Sequence, residues 1–291
     1  MPELHIAERF RRGGWRGAIR AARRRLAEVI APDDRSEPTD AAEPAAAPKP
    51  DVQPDRSKLS AIEVSHDAAL EWFESRHANY VALAGSLRGR LPEEGVLLDV
   101  GANIGYFTKV VGDELGFTGT AHLFEPIPHL AELCSSTLDD TDFSSAVHPF
   151  GLSGEDATVD IFVADDGNLG WNTMVAGRRT SGMAAISIDV RRFDDLALDV
   201  VPDVIKIDVE GAEHRVLSGM QRSLETWTPK PTILCEIGWG TNHPDWEAEL
   251  AAFAMLEKIG YSAHDLEGEP LDVASLSKTT DVLFLPHAPV A

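Results

Sequence analysis

Residues 96–105 read Val96-Leu97-Leu98-Asp99-Val100-Gly101-Ala102-Asn103-Ile104-Gly105. Four aliphatics around one acid predict a buried strand, and the small residues after Val100 predict a tight turn into a helix opening near Ile104. Upstream, EWFESRHANYVALAGSL predicts a helical stretch over about 65–88. Downstream, AHLFE (121–125) is followed by a helix from about Pro128 to Leu138, then by strand-like AVHPFGL (146–152), TVDIFV (158–163) and AISIDVRR (185–192). VIKIDVE (204–210) leads to a helix from Ala212 to about Leu224, and TILCEIG (232–238) to a helix over 244–259. YSAHDL (261–266) and DVLFLP (281–286) complete the pattern. Apolar strands alternating with helices predict a doubly wound α/β sheet, mostly parallel and covered on both faces. In such sheets ligands sit beyond the carboxyl ends of the strands, so residues at those ends carry the functional information.

The 291 residues carry a net charge of −22, unevenly spread. Residues 1–30 hold eight arginines against Glu3, Glu8 and Glu28, a charge of +5, and the remainder is −27. An acidic body repels phosphate backbones, so no nucleic-acid partner is expected. Trp15, Ile19, Ala22, Leu26 and Ile30 lie at helical spacing, which predicts a basic amphipathic helix over 1–30 suited to peripheral membrane contact or to an acidic partner. Residues 31–57 hold six prolines and one large aliphatic, Val52, and read as a disordered linker. The folded domain is therefore expected over 58–291. No apolar run approaches bilayer length, and the first residues lack the apolar segment of a secretory signal. With only Cys134 and Cys235 there is no disulfide framework, and a reduced cytoplasmic compartment is expected, with contact at the inner membrane face through 1–30.

The turn at 101–106 is wrong for a dinucleotide fingerprint, because positions 103 and 106 are Asn and Tyr where glycines are needed. Triphosphate-binding GxxxxGK(S/T) does not occur either. Gly101 and Gly105 are expected to let backbone approach a ligand, and Asp99 suits a ligand with a cationic end. Twenty residues after Gly105, a strand ends at Glu125, where a carboxylate can accept both hydroxyls of a ribose. A ligand with a ribose but no pyrophosphate fits S-adenosyl-L-methionine. In Lys206-Ile207-Asp208-Val209-Glu210, alternation would send Lys206, Asp208 and Glu210 to one face if the strand persists that far. A cation beside two carboxylates at a sheet crevice is costly to desolvate and points to function. Asp208 or Glu210 is the candidate proton acceptor, with Lys206 holding that carboxylate ionised or orienting an acceptor.

DVGANIG, FEP, IKIDVEGAE and ILCEIG, in that order and spacing, resemble the FkbM family of S-adenosylmethionine-dependent methyltransferases. The resemblance covers about 95–260 and implies a Rossmann-like class I methyltransferase fold and O-methylation of a saccharide or glycolipid hydroxyl. Alternatives are a secondary-metabolite hydroxyl such as that of a polyketide, or a non-catalytic cofactor-binding protein. Matched residue by residue, it implies Asp99, Gly101, Asn103 and Gly105 around the methionine end of the cofactor and Glu125 on its ribose. It implies Lys206, Asp208, Glu210 and Glu213 near the transferred methyl. Glu236 and Trp171 are candidate acceptor contacts. The ten histidines form no ligand-spaced cluster. Magnesium held by Asp208, Glu210 and Glu236 is the disfavoured alternative, and no metal site is assigned.

Overall fold

The computed structural model describes residues 63–163, 169–170, 172–175 and 183–287. The helix read over 1–30, the linker read over 31–57 and Trp171 lie outside the described residues.

Two helices, α1 (His66–Glu74) and α2 (His77–Ser86), precede strand β1 (Val96–Val100). The chain continues through α3 (Tyr106–Leu115), β2 (Thr120–Phe124), α4 (Pro128–Leu138) and β3 (Ser144–His148). After β4 (Gly151–Ser153), β5 (Ala157–Val163), β6 (Asn172–Thr173) and β7 (Ala184–Arg192), it returns to β8 (Val204–Ile207). Then come α5 (Glu213–Gly219), α6 (Gln221–Thr226), β9 (Thr232–Ile237), α7 (Trp246–Lys258), β10 (Tyr261–His264) and β11 (Thr280–Pro286).

The main sheet has seven strands in the order β10-β11-β9-β8-β1-β2-β3. The five from β9 to β3 run parallel, and β11 lies antiparallel between β9 and β10. Central β1 is buried from Leu97 onward because it has a parallel neighbour on each side and helices above and below. Each fully buried Leu in it contributes about 1.5–3 kcal/mol. From β1 the chain winds outward through β2 and β3, then returns to β8 on the other side of β1. The winding direction therefore reverses between β1 and β8, and the crevice of a doubly wound sheet opens at such a reversal.

Four expectations are corrected. The AVHPFGL segment is two strands in two sheets, because Pro149 has no N–H for the ladder and the chain breaks there. β4, β5, β6 and β7 form a separate sheet, order β4-β7-β5-β6, in which β5 pairs antiparallel with both neighbours. The helix read over 212–224 is interrupted at Met220. Asp194, from the turn after β7, accepts hydrogen bonds from the backbone N–H groups of Arg222 (2.8 Å) and Ser223 (2.9 Å), which a continuous helix would give to its own carbonyls. The stretch over 65–88 is likewise two helices, with Ser75 Oγ and the Arg76 guanidinium both donating to the Trp72 carbonyl at the break. Among the described residues no helix is long and apolar enough to cross a membrane.

Candidate active site

A cleft of about 830 Å³, open solvent included, lies at the carboxyl ends of β1, β2 and β8. Its floor is Gly101 to Asn103, Glu125 and Lys206, and the second sheet roofs it with Leu152, Ile161, Ile188 and Val190. Phe73 from α1 and Tyr80 from α2 join Tyr106 in its wall.

Glu125 follows β2 and is 5% exposed. Its Oε1 accepts from the Ile127 N–H and its Oε2 from the Asn103 N–H, both at 2.9 Å. Each oxygen keeps a lone-pair direction for a further donor. Burial raises the carboxyl to about 7, against the pull of those two hydrogen bonds. Asn103 holds its φ of +51° while its side chain donates to the Leu169 carbonyl at 2.8 Å, joining the turn to the roof.

Asp99 lies beneath the cleft, with no exposed surface. Its Oδ2 accepts from Thr108 Oγ1 at 2.7 Å and its Oδ1 is 3.2 Å from Lys206 Nζ. The two residues are register partners across β1 and β8, so the pairing follows from the ladder. Lys206 donates a hydrogen bond to the Gly101 carbonyl at 3.0 Å and forms ion pairs with Asp99 at 3.2 Å and Asp208 at 3.3 Å. Burial opposes its charge, but Asp208 and Asp99 outweigh that and hold its pKa above the ordinary lysine value. The ammonium is thus committed to tying β1, the glycine turn and Asp208 together.

Internal packing leaves no room for a side chain at either glycine. A Cβ at Gly101 would stand 1.8 Å from the Asp208 carbonyl oxygen, and one at Gly105 would stand 2.9 Å from Cys134 Sγ. Gly101 faces the cleft and Gly105 does not.

Strand β8 stops at Ile207, so simple alternation does not place the acids after it. Glu210 instead has a left-handed backbone, φ +53°. The turn nevertheless brings Asp208, Glu210 and Glu236 together, with one oxygen of each within 4.8 Å of the others. Burial, followed by the charges of Asp208 and Glu236, pushes Glu210 up to about 10. Asp208, followed by burial, pushes Glu236 up to about 9. Glu213 is 1% exposed, takes the Gly211 N–H on Oε1 at 2.9 Å and is pushed to about 8 by burial and Glu249. His214 Nδ1 lies 2.7 Å from Glu249 and outside both clefts, in keeping with a structural histidine.

A second cleft of about 910 Å³, also open to solvent, adjoins the first. The two share Tyr80, Lys206 and Asp208, and the second adds Glu236 and Asp281. Tyr80, Thr108 and Asp281 were not legible as site residues. Tyr80 sits in a helix without a motif, and Asp281 comes opposite Glu236 only through the antiparallel pairing of β11 with β9.

A family model described as the methyltransferase FkbM domain matches residues 99–263, more than half of the chain. The chain belongs to the FkbM methyltransferase family. The seven-stranded sheet of this FkbM methyltransferase has the Rossmann-like class I arrangement. Its relatives include Methyltransferase sdnD of Sordaria araneosa, 26% identical over 179 residues, covering 48% of this chain and 69% of that protein. Methyltransferase 1 of Beauveria bassiana is 27% identical over 170 residues, covering 50% of this chain and 66% of that one. A solved structure, the methyltransferase FkbM of Methylobacillus flagellatus KT, aligns at TM-score 0.45 and 20% identity over 69% of this chain and 47% of its own. This FkbM chain therefore spans about two thirds of those curated relatives and about half of that structure. The helices carrying Phe73 and Tyr80 precede the matched residues.

Proposed function

We propose that the protein is an S-adenosylmethionine-dependent O-methyltransferase acting on a hydroxyl of a saccharide or glycolipid. The observation that carries this reading is Asp208, the one carboxylate among the described lining residues that faces both clefts. The first cleft suits the cofactor: an acid with a spare lone pair on each oxygen matches a ribose, and the apolar roof matches a purine. Glu125, Gly101 and Asn103 would hold it there. Bound in that cleft, S-adenosylmethionine supplies a methyl group already activated on a sulfonium.

What remains for the chain is to position the acceptor and to take its proton. Positioning alone supplies about 7–11 kcal/mol of such a barrier. Asp208, 35% exposed and fixed at 3.3 Å from Lys206, is the group that reaches an acceptor hydroxyl entering from the second cleft. A carboxylate is far too weak a base to ionise an alcohol beforehand, so it takes the proton as the new carbon–oxygen bond forms. Lys206 keeps Asp208 in place. Glu210 and Glu236 stand behind it as the electrostatic setting.

Calorimetric titration with S-adenosylmethionine and, separately, NAD tests the cofactor. Binding of the first alone, lost in Glu125→Ala, is the expected result, and equal binding of both by wild type and variant removes the reading. Asp208→Asn should bind the cofactor within a few-fold of wild type while turnover falls by about 100-fold or more. Unchanged turnover would return the proton to another group. The domain division at 58 and a basic helix over 1–30 that holds the enzyme at an anionic membrane belong to the same proposal. A membrane-bound fraction released by high salt and lost on deletion of 1–30 is the expected outcome.

A further inference from the structure

The second cleft has an electrostatic peculiarity. Glu236 and Asp281 are direct register partners across β9 and β11, and two carboxyls placed opposite each other cannot both ionise without weakening the sheet. Both line the cleft with Asp208, and Glu210 lies within 4.8 Å of two of the three. Behind them, buried Glu213 leaves its Oε2 without a hydrogen-bond partner while its charge bears on both Glu210 and Glu236. The cations that line the cleft do not balance this group. Lys206 is committed to three oxygens, as described above. The Arg76 guanidinium lies 3.6 Å from the Trp72 ring centroid and donates to the Trp72 carbonyl and Ser75 Oγ, at the break between α1 and α2. The space is far larger than one ion needs, and Leu83, Leu234 and Leu266 give it an apolar side.

We infer that the second cleft is the acceptor site and that it selects an acceptor carrying a protonated amine, an amino sugar or an equivalent amino polyol, whose ammonium sits among Glu236, Asp281 and Asp208. The inference rests on the methyl-transfer reading. An ammonium there lets the paired carboxyls ionise together while the ring lies against the leucines, and the acceptor hydroxyl is left at the shared wall beside Asp208. An anionic acceptor is repelled by every one of these carboxyls that ionises and is excluded. A bare divalent cation would answer the same charges but would leave the apolar side unused.

The test is calorimetry on the full chain saturated with S-adenosylhomocysteine, with glucosamine, glucose, glucose 6-phosphate and magnesium chloride as separate probes. Glucosamine is expected to bind about tenfold or more tighter than glucose, in line with one partly buried ion pair, with no detectable binding of the phosphate. Asp281→Asn and Glu236→Gln should each bring glucosamine toward the affinity of glucose and leave S-adenosylhomocysteine binding unchanged. Equal affinities for glucosamine and glucose, no glucosamine binding, or a preference unmoved by either substitution overturns the inference. So does magnesium that binds alone and expels glucosamine, which would make the cluster a metal site. In all of those cases retained S-adenosylhomocysteine binding leaves the cofactor reading standing, whereas failure to bind it brings down both.

Discussion

At Gly101 the backbone has φ +78° and an added Cβ would stand 1.8 Å from the Asp208 carbonyl oxygen. The turn after β1 and the turn after β8 touch at this point, so Gly101→Ala strains both. A loss of at least about 2–3 kcal/mol is expected in urea unfolding, from the left-handed backbone and the backbone contact together. Glu125 gives a second residue-scale prediction. Its carboxyl is raised to about 7, and only the ionised form offers both oxygens as acceptors. Affinity for S-adenosylmethionine should therefore rise with pH up to and through about 7, and this dependence should vanish in Glu125→Gln along with part of the affinity. A pH-independent wild type would place the ribose elsewhere. Gly101, Asn103, Glu125, Lys206, Asp208 and Glu210, read from the sequence at or just after strand ends, line the first cleft, and Asp99 lies beneath it. Their tasks were less legible. That Asp99 serves Lys206, and Gly101 a neighbouring turn, depends on what lies across the ladder.

Among the elements, α6 shows how a distant side chain can divide a helix. Asp194 is 7% exposed and takes the N–H groups of Arg222 and Ser223 together with the Ser223 hydroxyl at 2.7 Å. Asp194→Ala leaves those part-buried donors without their acceptor and should cost about 1–3 kcal/mol, seen as a lower Tm with cofactor affinity intact. Asp194→Asn, which keeps one acceptor oxygen, should recover part of the loss. Strand β8 carries a related lesson. Its apolar pattern runs on to Val209, but its ladder ends at Ile207. Near-continuous aliphatic runs located the strands well, and could not show that β4 to β7 would leave the main sheet. Period and propensity are properties of one segment, whereas sheet membership is a property of two.

Across the whole molecule, the buried acids set the pH response. Glu125, Glu213, Glu236 and Glu210 are raised to about 7, 8, 9 and 10 from an ordinary value of 4.5. For each, the folded state holds a proton that the unfolded chain has released, so stability falls as pH rises from about 4.5 through the folded value. His122 and His148 are lowered from 6.5, both by burial first and His148 also by its neighbour, with ring nitrogens 3.3 Å apart. Their contribution is full above 6.5 and lost as pH falls through the lowered folded values. Tm should accordingly decline on the alkaline side, where Glu213→Gln should be stabilised relative to wild type by on the order of a few kcal/mol at pH 9 and far less at pH 5. A parallel Tm profile for the two proteins would show that Glu213 does not titrate there.

The sequence alone determined the alternation of strands and helices, the glycine turn after β1, the acids at the strand ends and the family they resemble. Each of these is written in residues adjacent along the chain: hydrophobic period, turn chemistry and short motifs. Tertiary structure decided the split into two sheets, the commitment of Lys206 to three oxygens, the entry of Tyr80 into the wall shared by the clefts and the meeting of Asp281 with Glu236. Those depend on register and packing between segments far apart in the chain. Glu236 and Asp281 are 45 positions apart in sequence and face each other only because β11 enters the sheet antiparallel beside β9.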